Sequence, residues 1–157
     1  MFQRILIGVD FSEGGNRALE VARAHFPGAR RRLVHVALTV PAVSSALDFL
    51  EGSAAQADRV ELGRVHLEDL RLADETTCFA RGNVAEELLG EALAWGADLI
   101  VVGTHGRRGV SHALFGSVAE QVVRDASVPV LTVGRLTAPA RESEPVFPPA
   151  EWRPGAG

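Results

Sequence analysis

A doubly wound α/β domain, with a five-stranded parallel sheet in the order 3-2-1-4-5 and helices on both faces, is the fold this sequence predicts. Short aliphatic runs such as RILIGV and DLIVVG are apolar at consecutive positions, as strands are when a sheet is covered on both sides. Longer amphipathic stretches alternate with these runs, which is the rhythm of parallel strands joined by right-handed helical crossovers. The chain has 157 residues, 46% of them hydrophobic. That is enough for one domain with a substantial core and too apolar for disorder.

Taken in order, the first strand is expected over Arg4 to Val9 and the first helix over Glu13 to Phe26. A second strand over Leu33 to Leu38 leads into a helix from Ser44 to Leu70, and a third strand follows over Thr76 to Ala80. In the third helix, Val84 to Trp95, the residues Val84, Leu88, Ala92 and Trp95 recur at helical spacing. Asn83 and an acid three residues on, Glu86, mark its start. The fourth strand covers Leu99 to Gly103, the fourth helix Val118 to Ala126, and the fifth strand Val130 to Val133. The simplest winding of these nine elements is Rossmann-like, with its ligand crevice where the winding reverses between strands one and four. From Thr137 onward, prolines and mixed charges read as a tail, which divides the chain into a domain over 1–136 and an arm over 137–157.

Composition removes several classes of function. A net charge of -4 argues against a general nucleic-acid binder. No apolar run approaches the roughly 20 residues that span a bilayer. The opening MFQRILIGVD runs straight into a strand pattern, so a cytoplasmic protein is expected. The single cysteine, Cys78, excludes an intramolecular disulfide framework and reads as a small core residue in a strand. All sixteen basic residues are arginine, so a GxxxxGK[ST] phosphate loop, a Schiff base and a lysine nucleophile are impossible.

The segment after the fourth strand carries the chemistry. VVGTHGRRGVSHALFGS places Gly103, Gly106, Gly109 and Gly116 with Arg107 and Arg108, and no acid occurs from Leu99 to Ala119. Glycines admit a phosphate to backbone N–H groups, and a helix starting near Ser117 adds free donors and partial positive charge. Across the crevice, IGVDFSEGG brings Asp10 and Ser12, and Asp10 is placed to meet a ribose hydroxyl or an adenine edge. Each signal also has a plain structural reading. The glycine pair can be a turn, Asp10 can cap the first helix, and SVAE over Ser117 to Glu120 can be a capping box that needs no ligand. His105 and His112 lack a cysteine or carboxylate partner in this stretch and read as loop residues, without a metal site. His35, on the second strand, reads as a buried and satisfied histidine.

The spacing GxxGx(9)GS at Gly103, Gly106, Gly116 and Ser117, the opening ILIGVDFSE and the ending SVAEQVVRDASVPVLTV together resemble the universal stress protein family, over about residues 2 to 135. The resemblance implies an ATP-binding α/β protein that dimerises, and family members lacking the glycine pattern do not retain nucleotide. It implies that Gly8, Val9 and Asp10 border the adenosine and that the backbone of Val36 meets the adenine. Gly103, Gly106, Gly109, Gly116, Ser117 and Val118 would hold ribose and phosphates, with Mg2+ carried through the phosphates; Arg107 and Arg108 fall at variable positions of the family pattern, and Thr104 and Arg107 complete the expected binding set.

Two classes of function compete. One is a nucleotide-binding regulatory module; the other is a slow ATP-hydrolysing or adenylate-transferring enzyme. The first is favoured, because the phosphate loop offers no acid to position water or metal, and a pyrophosphatase-type SGGxDS loop is missing. The expected partner is a second copy of the chain. Antiparallel pairing of the fifth strands would use an apolar edge of Val130, Leu131 and Val133, with Pro129 at the strand's start.

Overall fold

The computed structural model describes residues 1–38, 60–104 and 116–134. It contains β1 (Arg4–Gly8), α1 (Glu13–His25), β2 (Arg30–Ala37), a helix α2 described over 60–70, β3 (Glu75–Arg81), α3 (Val84–Trp95), β4 (Leu99–Gly103), α4 (Ser117–Asp125) and β5 (Val130–Val133). The five strands form one parallel sheet in the order β3-β2-β1-β4-β5. Residues 44–59 of the expected second helix, and the tail, lie outside the described residues.

Strand alternation sends one set of side chains to each face. Ile5, Ile7, Leu33 and Val101 pack with Ala18, Leu19 and Ala22 of α1 and Leu67 of α2. Leu6, Val34, Ile100 and Val102 pack with Ala85, Leu88 and Ala92 of α3 and with Ala119 and Val122 of α4. Both faces of the central strands are therefore buried, which is why they are apolar at consecutive positions.

β2 begins at Arg30, three residues before the expected Leu33. The run Arg30-Arg31-Arg32 has the charge of a surface loop, but two of its arginines find partners inside the fold. Arg31, only 5% exposed, is paired with Glu75 and Asp74. Arg32 points to the other face, where it pairs with Glu91 and lies 5.0 Å from the centroid of the Trp95 ring. Glu75 is the hub of the first group. Its fully buried carboxylate takes Arg23 at 2.6 Å, Arg31 at 2.9 Å and the Leu72 N–H at 2.9 Å. This cluster joins α1, β2 and β3 at the end of the sheet opposite the glycine-rich segment.

Three local expectations need adjustment. The N-cap of α1 is Ser12, whose hydroxyl accepts from the Gly15 N–H, so Asp10 is not the cap. α4 starts at Ser117 with Gly116 as N-cap and no side-chain cap bond. The SVAE capping box is thus not formed, because Ser117 already lies within the first turn. On β5, Val133 is buried in the α1-side core and Leu131 packs against the same cluster, while Val130 packs against the opposite one. These side chains serve the core more than an outer surface. Asn83 caps α3 as expected, accepting from the Ala85 and Glu86 N–H groups. Cys78 is half-buried on β3, and burial raises its thiol pKa. No helix among the described residues is long and apolar enough to cross a membrane.

Candidate functional site

β1 and β4 are neighbours, with Ile7 opposite Val101. Their carboxyl ends, Gly8-Val9-Asp10 and Gly103-Thr104, therefore come together where the winding reverses. β1 continues its pairing one residue past its end, since the Val9 N–H donates to the Val34 carbonyl at 2.8 Å. The chain then turns through Asp10 and Phe11, whose φ of 60° is positive. Asp10 Oδ1 accepts from both the N–H and the hydroxyl of Ser12, at 3.0 and 2.5 Å. Ser12 in turn receives the Gly15 N–H. Asp10 thus braces the start of α1 through Ser12 rather than capping it directly.

The first turn of α1 sits on β4 at Gly103. A Cβ at Gly103 would stand 2.6 Å from the Gly14 carbonyl carbon and 2.9 Å from the Gly15 nitrogen, and one at Gly15 would collide with Asp10 Oδ1. Strand and helix backbones touch here because Gly103 carries no side chain, while the bare Gly15 makes room for the Asp10 carboxylate. Gly103 therefore has a packing reason for being glycine, whatever binds nearby. Gly14-Gly15 escaped the sequence reading. The usable signal was two helix-weakening glycines in a helix's first turn, which demand a close approach.

Beyond β4, Thr104 is buried, and its N–H donates to the Val133 carbonyl at 2.9 Å. The Gly116 N–H donates to the Thr104 carbonyl at 2.6 Å, a closure that ties the start of α4 to the end of β4. Gly106, Arg107 and Gly109 fall within 105–115, outside the described residues. α4 starts immediately after this closure, with Ser117 exposed and Val118 half-buried. With no side chain capping it, its amino-terminal end has the donors and the positive dipole end that suit an anion. Val36 lies near the end of β2, opposite Ala80, with its side chain in the α3-side core. Of the expected residues, the fold brings Gly8, Val9, Asp10, Gly103, Thr104, Gly116, Ser117 and Val118 to the carboxyl end of the β1–β4 pair and the start of α4. Val36 stands one strand further out. Among the described residues, no three His, Cys, Asp or Glu side chains cluster as a metal site would require.

A family model described as "Universal stress protein family" matches residues 1–134. A universal stress protein from Thermus aquaticus is 36% identical over 138 residues, covering 85% of this chain and 99% of its own length. Universal stress protein MJ0577 of Methanocaldococcus jannaschii is 27% identical over 157 residues, covering 86% and 96%. Its solved structure superposes with a TM-score of 0.67 at 28% identity, covering 88% of this chain and 99% of that one. A universal stress protein family protein from Arabidopsis thaliana, solved with AMP bound, shares the fold at a TM-score of 0.53 and 16% identity, covering 85% and 92%.

Proposed function

This chain belongs to the universal stress protein family, and on that footing we propose that it is a cytoplasmic stress-response regulator whose crevice binds an adenine nucleotide, ATP foremost, without turning it over at an enzyme's rate. The observation that supports this most directly is the meeting of two features at one end of the sheet. The uncapped start of α4 is tied to Thr104 at the end of β4, and the Asp10 turn leaves the adjoining strand. In this reading Gly8, Val9, Asp10 and Val36 border the adenosine. The backbone at Gly103, Thr104, Gly106, Arg107 and Gly109, with the first-turn amides of α4 from Gly116 to Val118, receives ribose and phosphates, and Mg2+ travels with the phosphates. The Arabidopsis relative with AMP bound is an instance of this fold taking an adenine nucleotide.

Denaturing the purified protein and chromatographing the supernatant tests the reading, with released ATP expected and no adenine nucleotide counting against it. In the companion experiment, Gly106→Val sets a branched side chain where close backbone approach to phosphate is required, and ATP affinity falls at least tenfold in a folded protein. Unchanged affinity by calorimetry would mean that the loop is only a turn.

Hydrolysis calls for stabilised phosphoryl charge and a positioned water. Asp10, the carboxylate at the crevice mouth, already uses one oxygen to brace Ser12, and no lysine exists anywhere in the chain. Turnover is expected at roughly less than one per minute, against about 1–100 per second for dedicated phosphoryl-transfer enzymes. Phosphate release faster than that, abolished by a single substitution, would favour the enzymatic reading.

The protein is further proposed to dimerise through β5. This strand ends the sheet, and no described strand pairs with its outer side. Pro129 and Val133 direct their carbonyls to β4, accepting from the Ile100 and Thr104 N–H groups. By alternation, Val130 and Thr132 aim their backbone groups outward, ready for an antiparallel copy. Thr132→Pro deletes an outward donor while sparing the β4 ladder, so light scattering is expected to report a dimer for the wild type and a monomer for the variant. A monomeric wild type at micromolar concentration removes the model.

A further inference from the structure

We propose that His35 is the positioning residue of the nucleotide turn, holding Val9 to Ser12 in the conformation that receives the adenosine. The ligand in this statement rests on the nucleotide reading above, whereas the geometry does not. His35 lies on β2, opposite Phe79 of β3, with its ring on the α1–α2 face of the sheet. Its Nδ1 lies 2.7 Å from the Val9 carbonyl oxygen. A carbonyl oxygen can only accept, so Nδ1 carries the proton and donates. The Val9 residue is thereby held to β2 twice, by its N–H to the Val34 carbonyl and by its carbonyl to the His35 ring.

The same ring supports the next strained step. Phe11 adopts a positive φ of 60°, a conformation that side chains other than glycine adopt rarely and keep only where the surroundings enforce it. The Phe11 ring packs on His35 with centroids 4.6 Å apart, and His66 of α2 meets it edge-on at 5.6 Å. Buried Gly63 lets α2 close over the histidine, since a Cβ there would stand 3.3 Å from Nε2 and 3.5 Å from the Phe79 ring. His35 therefore grips the chain on both sides of Asp10, by hydrogen bond at Val9 and by ring contact at Phe11. From Asp10 the order passes through Ser12 to the first turn of α1, which lies against Gly103. A core histidine with no such role would show neither the hydrogen bond to the last residue of the β1 pairing nor the contact with the strained one.

The test uses the full-length protein, with His35→Leu, which keeps bulk and removes the donor, and His35→Asn, whose amide nitrogen reaches from about the position of Nδ1. In the wild type, imidazole 15N shifts are expected to report the Nδ1–H tautomer with a slowly exchanging proton. In ligand-free His35→Leu, amide exchange over residues 9–15 speeds by about tenfold or more relative to β4 and α3, and ATP affinity by calorimetry falls by a similar factor, the scale of one lost hydrogen bond. His35→Asn restores both to within about threefold. Equal behaviour of the two variants, or a folded His35→Leu with wild-type exchange and affinity, overturns the proposal. So does an Nδ1 without a proton in the wild type, a measurement that stands even if His35→Leu does not fold. A wild type that binds no ATP removes the nucleotide reading, and the exchange pattern still decides whether His35 orders the turn.

Discussion

Replacing Glu75 by glutamine is expected to lower unfolding stability by about 3–5 kcal/mol, the scale for breaking a buried ion pair by removing one partner. The loss is large against the roughly 5–15 kcal/mol that holds a domain together. Glutamine keeps the shape of the side chain but leaves Arg23 and the buried Arg31 without the charge between them. The same carboxylate makes stability depend on acid. Burial opposes its ionisation, but the Arg23 and Arg31 guanidinium groups and the Leu72 N–H outweigh that and bring its pKa from an ordinary 4.5 to about 2. Because the folded form is the stronger acid, this contribution is complete above about pH 4.5 and is lost as pH falls toward 2. The interval corresponds to about 3 kcal/mol. Urea unfolding from pH 7 to pH 2 checks both effects. The wild type loses stability across that window, and Glu75→Gln starts lower and declines less steeply. Parallel curves would mean that the carboxylate is ionised equally well in both states.

At the other end of the sheet, Gly103→Ala is expected to cost about 2–3 kcal/mol, the upper part of the range for overpacking. Its new Cβ meets three backbone atoms of Gly14 and Gly15, all within 2.9 Å. Backbone cannot swing aside as a flexible side chain can, so α1 must lift from β4 and carry Ser12 and the Asp10 turn with it. Nucleotide affinity should fall together with stability, and Gly28→Ala, which meets nothing within 4 Å, should change neither. A Gly103→Ala protein as stable as the Gly28→Ala control would show that the strand–helix contact is looser than its geometry. The joint fall also separates Gly103 from Gly106, whose substitution is expected to touch affinity alone.

Much of the fold was legible in the sequence because the central strands are buried on both faces. ILIG and LIVVG must then be apolar throughout, and the helices between them must carry one apolar face each. The start of β2 was not legible. Arg31 and Arg32 look like solvent charges until Glu75, 44 residues from Arg31, and Glu91, 59 residues from Arg32, are brought beside them. Nor did local pattern decide how α4 is capped, although it did mark Asn83 as the cap of α3. SVAE has the letters of a capping box, yet the bond from Gly116 to Thr104 puts Gly116 at the cap and Ser117 inside the helix.

The sequence by itself determined the order 3-2-1-4-5, the neighbourhood of the Asp10 turn and the end of β4, and the exclusion of lysine chemistry. These follow from periodicity, crossover handedness and composition, and each is local or topological. Tertiary structure alone decided why Gly103 and Gly15 are glycines, that Asp10 braces Ser12 instead of capping α1, and that His35 reaches the carbonyl of Val9. Each of these depends on the separation of two backbones to within an ångström, and at short range a hydrogen bond or a missing Cβ is felt only between atoms that the fold has already brought together.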